Sequence, residues 1–187
     1  MVWFTSDLHL GHQNSIKYSN RPFSSIDEMD DCLLTNINDI INSTDDLYIL
    51  GDFAYRVDFE QIKSYRERIR CKNVHLILGN HDKKSIFRYN IFNSIDYYYE
   101  LKTEHGPFIL FHYPIEHWNK AHYGSVHLHG HIHADSEYNI KNLDIIIKYP
   151  TGLEIQKRVY DVGVDANEYK PVSLIHIADW FGLTKIK

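Results

Sequence analysis

Val74-His75-Leu76-Ile77-Leu78-Gly79-Asn80-His81-Asp82 joins an apolar, strand-like run to a short group of polar residues. Asn80 offers a neutral amide oxygen, His81 a titratable imidazole, and Asp82 a carboxylate able to orient that imidazole. For these residues alone, an ordinary Gly-Asn turn is as good an interpretation as a binding site. The pattern indicates function only if other strands of the chain end in the same way.

Four more apolar runs end in residues of the same kind. The polar groups are Asp7-Leu8-His9, Gly51-Asp52, His112 and Gly130-His131-Ile132-His133, and they follow runs at positions 2–4, 47–50, 108–111 and 126–129. In an open α/β sheet, residues just past the carboxyl ends of strands converge on one crevice, where ligands bind. Seven nitrogen or oxygen donors would then face a common point, which is enough for two metal ions sharing one carboxylate.

The spacing within two of these groups favours metal binding. Asp7 and His9 are two residues apart, as are His131 and His133, and this spacing places side chains on the same side of an extended chain. Neutral imidazoles suit Zn²⁺, Fe, Mn²⁺ or Ni²⁺ better than Ca²⁺. Each group alone is a weak signal, but five such groups in one order are not explained by coincidence.

Length and composition favour one soluble domain. The 187 residues are 43% hydrophobic and contain no linker or repeat, so we expect a single domain over residues 1–187. No signal peptide precedes the first run and no apolar run approaches the roughly 18 residues of a membrane span, which favours a cytoplasmic protein without a membrane partner. The formal net charge of −5 argues against a dedicated nucleic-acid scaffold. The thirteen histidines are a reason to look for a metal site.

Strand-like and helix-like patterns alternate through the first half and predict an α/β fold. An apolar stripe at three-to-four spacing predicts a helix over residues 25–42, with Ser24 as its N-terminal cap, and a second helix is expected at 58–70. The second half is richer in strand patterns, which suggests two sheets packed together with helices outside. The strands expected there are 95–101, 107–112, 125–130, 158–164 and 172–177, followed by a helix at 178–183.

At this point the chain resembles the calcineurin-like metallophosphoesterase superfamily. The signature of that family is D-x-H, GD, GNH[DE], H and GH-x-H in this order, and all five blocks occur between Asp7 and His133, about two-thirds of the chain. The resemblance implies a four-layer α/β/β/α sandwich of two mixed sheets flanked by helices. It also implies a dinuclear metal site at the carboxyl ends of the strands.

The resemblance also assigns roles to individual residues. His81 would face the scissile phosphate as a proton donor or electrostatic stabiliser, and Asp82 would orient its imidazole. One metal ion would be held by Asp7, His9, Asp52 and His133, and the second by Asp52, Asn80, His112 and His131, with Asp52 bridging. The two ions would be Mn, Fe, Zn or Ni, with manganese favoured.

The stretches 5–12, 20–23, 162–165 and 171–173 resemble a small bacterial and phage subgroup of the family. In that subgroup His12 and Arg21 lie near the metals and could contact a phosphate oxygen; a turn residue and a surface salt bridge are equally good interpretations. Protein phosphatases of the superfamily continue the second block as GDxVDRG, whereas this chain has Gly51-Asp52-Phe53-Ala54-Tyr55-Arg56. A protein phosphatase is therefore disfavoured.

The implied activity is hydrolysis of a phosphodiester or phosphomonoester, such as a nucleotide, by a hydroxide shared between the two metals. A metal-dependent nuclease is an alternative, because basic residues at 63, 66, 70, 83, 84 and 88 could steer a phosphate backbone; a solvated helix face explains them better. A non-catalytic binding or scaffold protein on the same fold is another alternative. Tyr97-Tyr98-Tyr99 could stack on bases, but an ordinary role in a sheet is favoured.

Overall fold

The computed structural model describes residues 1–185 of the chain. Residues 186 and 187, the end of the predicted domain, lie outside the described residues. The helices of this part are α1 (Gln13–Tyr18), α2 (Ile26–Ile40), α3 (Phe59–Arg68), α4 (Glu137–Leu143) and α5 (Leu174–Trp180). The strands are β1 (Val2–Thr5), β2 (Asp46–Ile49), β3 (Asn73–Ile77), β4 (Ser94–Asp96), β5 (Tyr98–Thr103), β6 (Gly106–Phe111), β7 (Val126–His129), β8 (Ile146–Lys148), β9 (Glu154–Gln156), β10 (Val159–Asp161) and β11 (Val172–Ser173).

Two large mixed sheets form the centre of the fold. The first has the strand order β11-β1-β2-β3-β4, in which β1 to β4 are parallel and β11 is antiparallel to β1. The second has the order β10-β7-β6-β5, in which only β5 runs antiparallel to its neighbour. Since β1, β2, β3, β6 and β7 run parallel within their sheets, the polar groups that follow them lie beyond carboxyl ends.

Each sheet is covered on both faces. Apolar residues of α2 and α3, such as Leu33 and Ile62, pack on β2 and β3 in one core. A second core lies between the sheets, where Phe4 stacks on Phe108 with ring centroids 6.3 Å apart. On the outer face of the second sheet, Trp118 and α4 cover β7. The predicted sandwich of two mixed sheets flanked by helices is confirmed.

The helix predicted at 25–42 is observed as α2, but its cap is Ser25 rather than Ser24. Ser25 Oγ accepts a hydrogen bond from the Glu28 N–H at 3.2 Å, while Ser24 binds the Glu28 carboxylate from outside the helix. The helix predicted at 58–70 is observed as α3, with Asp58 as its cap. Both helices begin at residues whose side chains accept from otherwise unpaired backbone N–H groups.

The end of the chain corrects the prediction of a strand at 172–177 and a helix at 178–183. The strand covers only Val172–Ser173, and α5 begins at once, because Ser173 Oγ accepts the His176 N–H at 3.0 Å and caps the helix. Leu174, Ile177 and Ala178 are buried at the three-to-four spacing of a helix. Within residues 1–185 no helix has the length and apolar character needed to cross a bilayer.

Candidate metal centre

The five predicted segments meet at one end of the two sheets. The Asp7 N–H donates to Gly51 O at 3.1 Å and the His9 N–H to Asp52 O at 2.9 Å, so the segment after β1 stays paired with the segment after β2. The Gly130 N–H donates to His112 O at 3.0 Å in the same way in the second sheet. These backbone hydrogen bonds bring the polar side chains of both sheets to one crevice.

One group of donors consists of Asp7, His9 and His133, whose ligand atoms lie within 4.8 Å of one another. His9 Nε2 and His133 Nε2 are 3.2 Å apart, and His133 Nε2 is 4.0 Å from Asp7 Oδ1. His133 Nδ1 donates to the Asp165 carboxylate at 2.7 Å. In the neutral ring the lone pair of Nε2 therefore points into the group, as a metal ligand requires.

A second group consists of Asp7, Asp52 and His112, again within 4.8 Å. His112 Nδ1 donates to Leu50 O at 2.8 Å, which leaves the lone pair on Nε2. Asn80 Oδ1 lies 3.0 Å from that Nε2. Two lone pairs facing each other at this distance repel, and a cation between them removes the conflict.

The Asp52 carboxylate lies between the two groups. Its Oδ2 is 3.4 Å from His9 Nε2, 3.6 Å from His112 Nε2 and 3.9 Å from His81 Nε2. Its Oδ1 accepts the His81 N–H at 2.9 Å, which fixes the carboxylate's orientation. This position is compatible with the predicted bridging role, and Asp7 is a member of both groups as well.

The buried Asp7 carboxylate lacks part of its expected hydrogen bonding. Its Oδ2 accepts the His131 N–H at 2.9 Å, but no group of residues 1–185 donates to Oδ1. Burial raises the pKa of Asp7, because the charged form loses its hydration. A divalent cation would compensate this charge, so the donors fit the metal ions that the sequence predicts.

Five predicted ligands have left-handed backbone conformations. The φ angles are 58° at Asp7, 51° at His9, 54° at Asp52, 74° at His131 and 48° at His133. Such angles are uncommon outside glycine and cost on the order of 1–3 kcal/mol each. Their concentration at one site indicates that the fold is strained in order to aim these side chains.

Glycines in the motifs leave room for the carboxylates. A Cβ on Gly79 would lie 2.2 Å from Asp52 Oδ1, and a Cβ on Gly130 would lie 2.2 Å from Asp7 Oδ2. Both distances are far shorter than van der Waals contact. The glycines of the GNHD and GHIH segments are thus required so that the backbone can approach the carboxylates closely.

The protonation states of His9 and His131 favour metal binding. Burial, followed by the charge of His133 and other cationic neighbours, lowers the pKa of His9 to about 2. Burial likewise lowers the pKa of His131. Burial also acts to lower the pKa of His133, but the Asp165 hydrogen bond and the charges of Asp7 and Asp165 outweigh it and raise that pKa. His9 and His131 are therefore neutral imidazoles at neutral pH, the form that binds metals.

The structure places the other predicted residues around these groups. The His131 ring lies 5.0 Å from the His112 ring, outside both clusters of donors. His12 Nδ1 lies 3.3 Å from His9 Nδ1, and its ring stacks on Tyr55 with centroids 3.8 Å apart. His81 has 36% of its side chain exposed, so its ring is accessible from the crevice.

The predicted role of Asp82 is wrong. Its carboxylate accepts the backbone N–H groups of Asp52, Gly79 and Phe53 at 2.8–3.0 Å, rather than contacting the His81 imidazole. Burial raises its pKa to about 6. Asp82 therefore ties the segments after β2 and β3 together and acts on the site through their backbones.

Arg21 is also corrected. Its side chain is buried, and its guanidinium donates to both Asp165 oxygens at 2.8 Å, to the carbonyls of Asp7 and Leu8, and to the Met29 sulfur. These contacts engage all five guanidinium N–H groups, so a phosphate oxygen has no donor to bind. The salt bridge considered as the alternative exists, but it is buried and not on the surface.

Sequence reasoning missed three polar residues at the site. Asp165 holds His133 Nδ1, and Ser19 Oγ lies 3.1 Å from the same nitrogen. Asp161 is fully buried behind Asp7, and burial, followed by the Asp7 charge, raises its pKa to about 7. The stretch 162–165 resembles the family subgroup, but a single sequence carries no signal that links Asp165 to His133.

The basic residues considered for nucleic-acid binding are partly engaged elsewhere. Arg66 donates to the carbonyls of Ile69 and Lys72, and Lys83 donates to Val57 O at 2.9 Å. Lys63 lies 3.9 Å from the Glu67 carboxylate. This arrangement favours a solvated helix surface at α3.

Comparison with known proteins places the chain among related sequences. A family model described as calcineurin-like phosphoesterase matches residues 1–183. The uncharacterized protein MJ1445 of Methanocaldococcus jannaschii is 33% identical over 175 residues, which are 92% of this chain and 86% of that protein. The gene 66 protein of Mycobacterium phage L5 is 34% identical over 84 residues, 43% of this chain and 39% of that protein. The crystal structure of AQ665, a protein of unknown function from Aquifex aeolicus, has a TM-score of 0.71 at 23% identity and covers 96% of this chain and 98% of its own, which shows a shared fold.

Proposed function

This chain belongs to the calcineurin-like phosphoesterase family, and we propose that it hydrolyses a phosphodiester with the help of two divalent metal ions. Metal-dependent phosphoester hydrolysis is the chemistry of the family, and the crevice has a matching set of oxygen and nitrogen donors. Manganese is the favoured metal, since carboxylate and amide oxygens suit it, while the imidazoles would also accept Fe, Zn or Ni. The proposed ligands are Asp7, His9, Asp52, Asn80, His112, His131 and His133.

The position of the Asp52 carboxylate is the observation that carries this proposal. Its Oδ2 lies within 3.9 Å of three imidazole nitrogens, on His9, His81 and His112. Neutral imidazoles carry no positive charge that could balance the carboxylate. A carboxylate among lone pairs needs positive charge nearby. Divalent cations held by the donors around Asp52 would supply that charge.

The residues of the chain then have distinct tasks. When bound, the two ions supply Lewis acidity and a water-derived nucleophile near neutral pH. Asp52 and Asp7 would supply carboxylates that hold the ions, and the hydrogen bond from His112 Nδ1 to Leu50 O leaves His112 Nε2 free to serve as a ligand. His81, whose backbone is tied to Asp52, presents a partly exposed imidazole that can donate a proton to the leaving oxygen.

A cleft beside Asn80 favours a diester over a monoester. It has a volume of about 310 Å³ and begins at a predicted metal ligand, so it offers room for a second ester arm. The crevice therefore has room for an organic group beside a phosphate held at the predicted ligands.

Two alternatives are less well supported. A binding protein without activity would not need five ligand residues in strained backbone conformations. A nuclease would need a cationic track toward the metals, and Arg66, Lys63 and Lys83 are engaged in other contacts.

The test is hydrolysis of bis-para-nitrophenyl phosphate and para-nitrophenyl phosphate by the purified chain. The protein is first stripped with a chelator and then titrated with Mn²⁺, with bound metal measured in parallel. We expect no turnover without metal, recovery as two ions bind, and faster cleavage of the diester. Full activity of the stripped protein would overturn the metal requirement, and a faster monoester reaction would overturn the preference for diesters.

A further inference from the structure

The cleft beside Asn80 has aromatic walls that the proposed chemistry does not use. Tyr97, Phe111 and Tyr113 line it together with Lys84. Its volume of about 310 Å³ is in the range of small-molecule binding sites. Such a site next to a phosphate-binding crevice is suited to the organic part of a phosphoester.

The aromatic rings are exposed although they are large. Tyr97 is 50% and Tyr113 is 36% exposed, and Phe87, which is 48% exposed, lies beside Tyr97 with ring centroids 5.9 Å apart. Exposed aromatic groups that adjoin one another mark binding surfaces more often than isolated ones do. The sequence-based expectation that Tyr97 has an ordinary sheet role is not met, since Tyr97 lies between β4 and β5.

The cleft touches the predicted metal ligands directly. The Tyr113 ring lies 4.9 Å from the His112 ring and 4.5 Å from the His131 ring, with edge-to-face geometry at both. Asn80 lines the cleft and also contacts His112 Nε2 through its Oδ1 at 3.0 Å. A flat group in the cleft is therefore within a few bonds of a phosphate held at these ligands.

The chemistry of the walls distinguishes among organic groups. Aromatic side chains stack on flat, π-bonded rings, and nucleobases stack on them regardless of base identity. Lys84 is an exposed cation at the cleft that can donate to a carbonyl or ring nitrogen. An aliphatic chain would use neither the flat faces nor this donor.

We propose that the cleft binds one nucleobase of a nucleotide ester, stacked against Tyr97 and Tyr113. This inference rests on the proposed function, because it places the phosphate of the same substrate at the predicted metal ligands. The substrate class is then a nucleotide diester whose base contributes binding energy outside the reacting centre. A single base fits, since the cleft has the volume of a small ligand and not of a longer strand.

The test compares two ligands that cannot be hydrolysed because carbon replaces both ester oxygens on phosphorus, the methylphosphinate analogue of adenosine 5′-methyl phosphate and the same analogue of ribose 5-methyl phosphate. Their binding to the Mn²⁺-loaded chain is measured by calorimetry. We expect the adenosine compound to bind at least about tenfold more tightly, as stacking on aromatic rings provides. In the double variant Tyr97→Leu with Tyr113→Leu, saturated with Mn²⁺ and with its bound metal measured, the two compounds should bind equally. Tyr123→Leu, at a residue that is 80% exposed on another surface, is the control and should retain the preference.

Three results would overturn the inference. These are equal binding of both compounds by the native chain, a preserved preference in the double variant, or a gain of more than about tenfold for a four-residue oligothymidylate over the adenosine compound. Failure of the proposed function is a separate outcome. It would appear as an absence of phosphoester hydrolysis, whereas the relative affinities of the adenosine and ribose compounds can be measured in either case.

Discussion

Asp165 accepts a hydrogen bond of 2.7 Å from His133 Nδ1, and the same carboxylate is held by the Arg21 guanidinium at 2.8 Å. Burial alone would raise the pKa of Asp165, but the hydrogen bonds from His133 and Arg21 outweigh it and lower that pKa. Asp165 is therefore a carboxylate that fixes the tautomer and direction of the His133 ring. Partners of this kind orient metal-binding histidines and raise their basicity.

Replacing Asp165 with Asn should weaken metal binding at the group that contains His133. The amide keeps the size of the side chain but loses its charge, so we expect affinity for one of the two ions to fall by about 10–100-fold. Metal titration followed by elemental analysis measures this. Glu168→Gln, at a carboxylate that is 82% exposed, is the matched control. Two ions bound with native affinity would contradict the role of Asp165. The free energy of unfolding, measured for both chains in the presence of a chelator, shows whether the substitution also weakens the fold.

The two groups of metal-ligand candidates could be predicted because their residues directly follow strands in the sequence. Apolar runs and the motifs after them are local features, and the carboxyl ends of parallel strands meet without further information. Asp7, Asp52 and His112 were predicted in this way, and the structure brings them within 4.8 Å. The metal-binding roles of these residues remain predictions.

The contacts around the ligands could not be predicted from one sequence. Asp165 lies 32 residues after His133, and Asp82 turns toward the backbones of other segments and not toward its neighbour His81. Such pairings depend on tertiary packing. The end of β11 was mispredicted for a local reason. Residues 174–178 are apolar except for His176, and they fit a strand and a helix equally until Ser173 is recognised as a cap.

Asp52→Asn should lower bound metal and activity together. The amide preserves the acceptor for the His81 N–H at Oδ1 but removes the negative charge between the two donor groups. We expect at most one tightly bound ion and turnover reduced to near background, because both ions depend on this carboxylate. Metal content and diester hydrolysis are measured on the same sample, with Asp39→Asn on the exposed surface of α2 as control. An active variant with two ions would refute bridging.

His81→Ala should separate chemistry from metal binding. The His81 side chain is 36% exposed and lies outside both donor groups, so its loss leaves the metal ligands intact. General acid catalysis contributes about 10²–10⁴-fold, and we expect kcat to fall by that factor with two ions still bound. The measurement is single-substrate kinetics with metal analysis. His117→Ala, at an exposed histidine, should behave as the native chain; a kcat close to native in His81→Ala would exclude a proton-donor role.

Gly130→Ala should damage the metal site through a steric clash. Gly130 does not have a left-handed φ, so alanine adds no backbone strain there. The added Cβ would lie 2.2 Å from Asp7 Oδ2 and 2.1 Å from Ser6 Oγ, so one of these side chains must move. We expect the loss of at least one metal ion. Gly152→Ala is the contrasting control, because Gly152 has φ of +83° and nothing within 4 Å of the new Cβ, so it adds backbone strain without a clash. The idea fails if Gly130→Ala binds metal like the native chain.

His127 makes the fold sensitive to acid. Its ring is fully buried, and in the neutral form Nδ1 donates to Ile109 O at 3.1 Å while Nε2 accepts the Ile115 N–H at 3.3 Å. Tyr113 O lies 3.2 Å from Nε2 and, like Ile109 O, acts to raise the pKa, but burial outweighs both. Burial lowers its pKa from 6.5 to about 4. Between these values the unfolded chain binds a proton that the folded chain does not, so stability is complete above pH 6.5 and falls as the pH drops toward 4.

From pH 7 to pH 5, His127 should remove about 2 kcal/mol from the free energy of unfolding, at about 1.4 kcal/mol per pH unit below 6.5. His127→Asn retains a donor toward Ile109 O but does not titrate, so we expect it to be less stable than the native chain at pH 7 and to lose about 2 kcal/mol less on acidification. Urea unfolding at both pH values in chelator measures the difference. His122→Gln, at an exposed histidine, should lose as much as the native chain. An equal acid loss in His127→Asn and the native chain would show that this buried imidazole does not control the response.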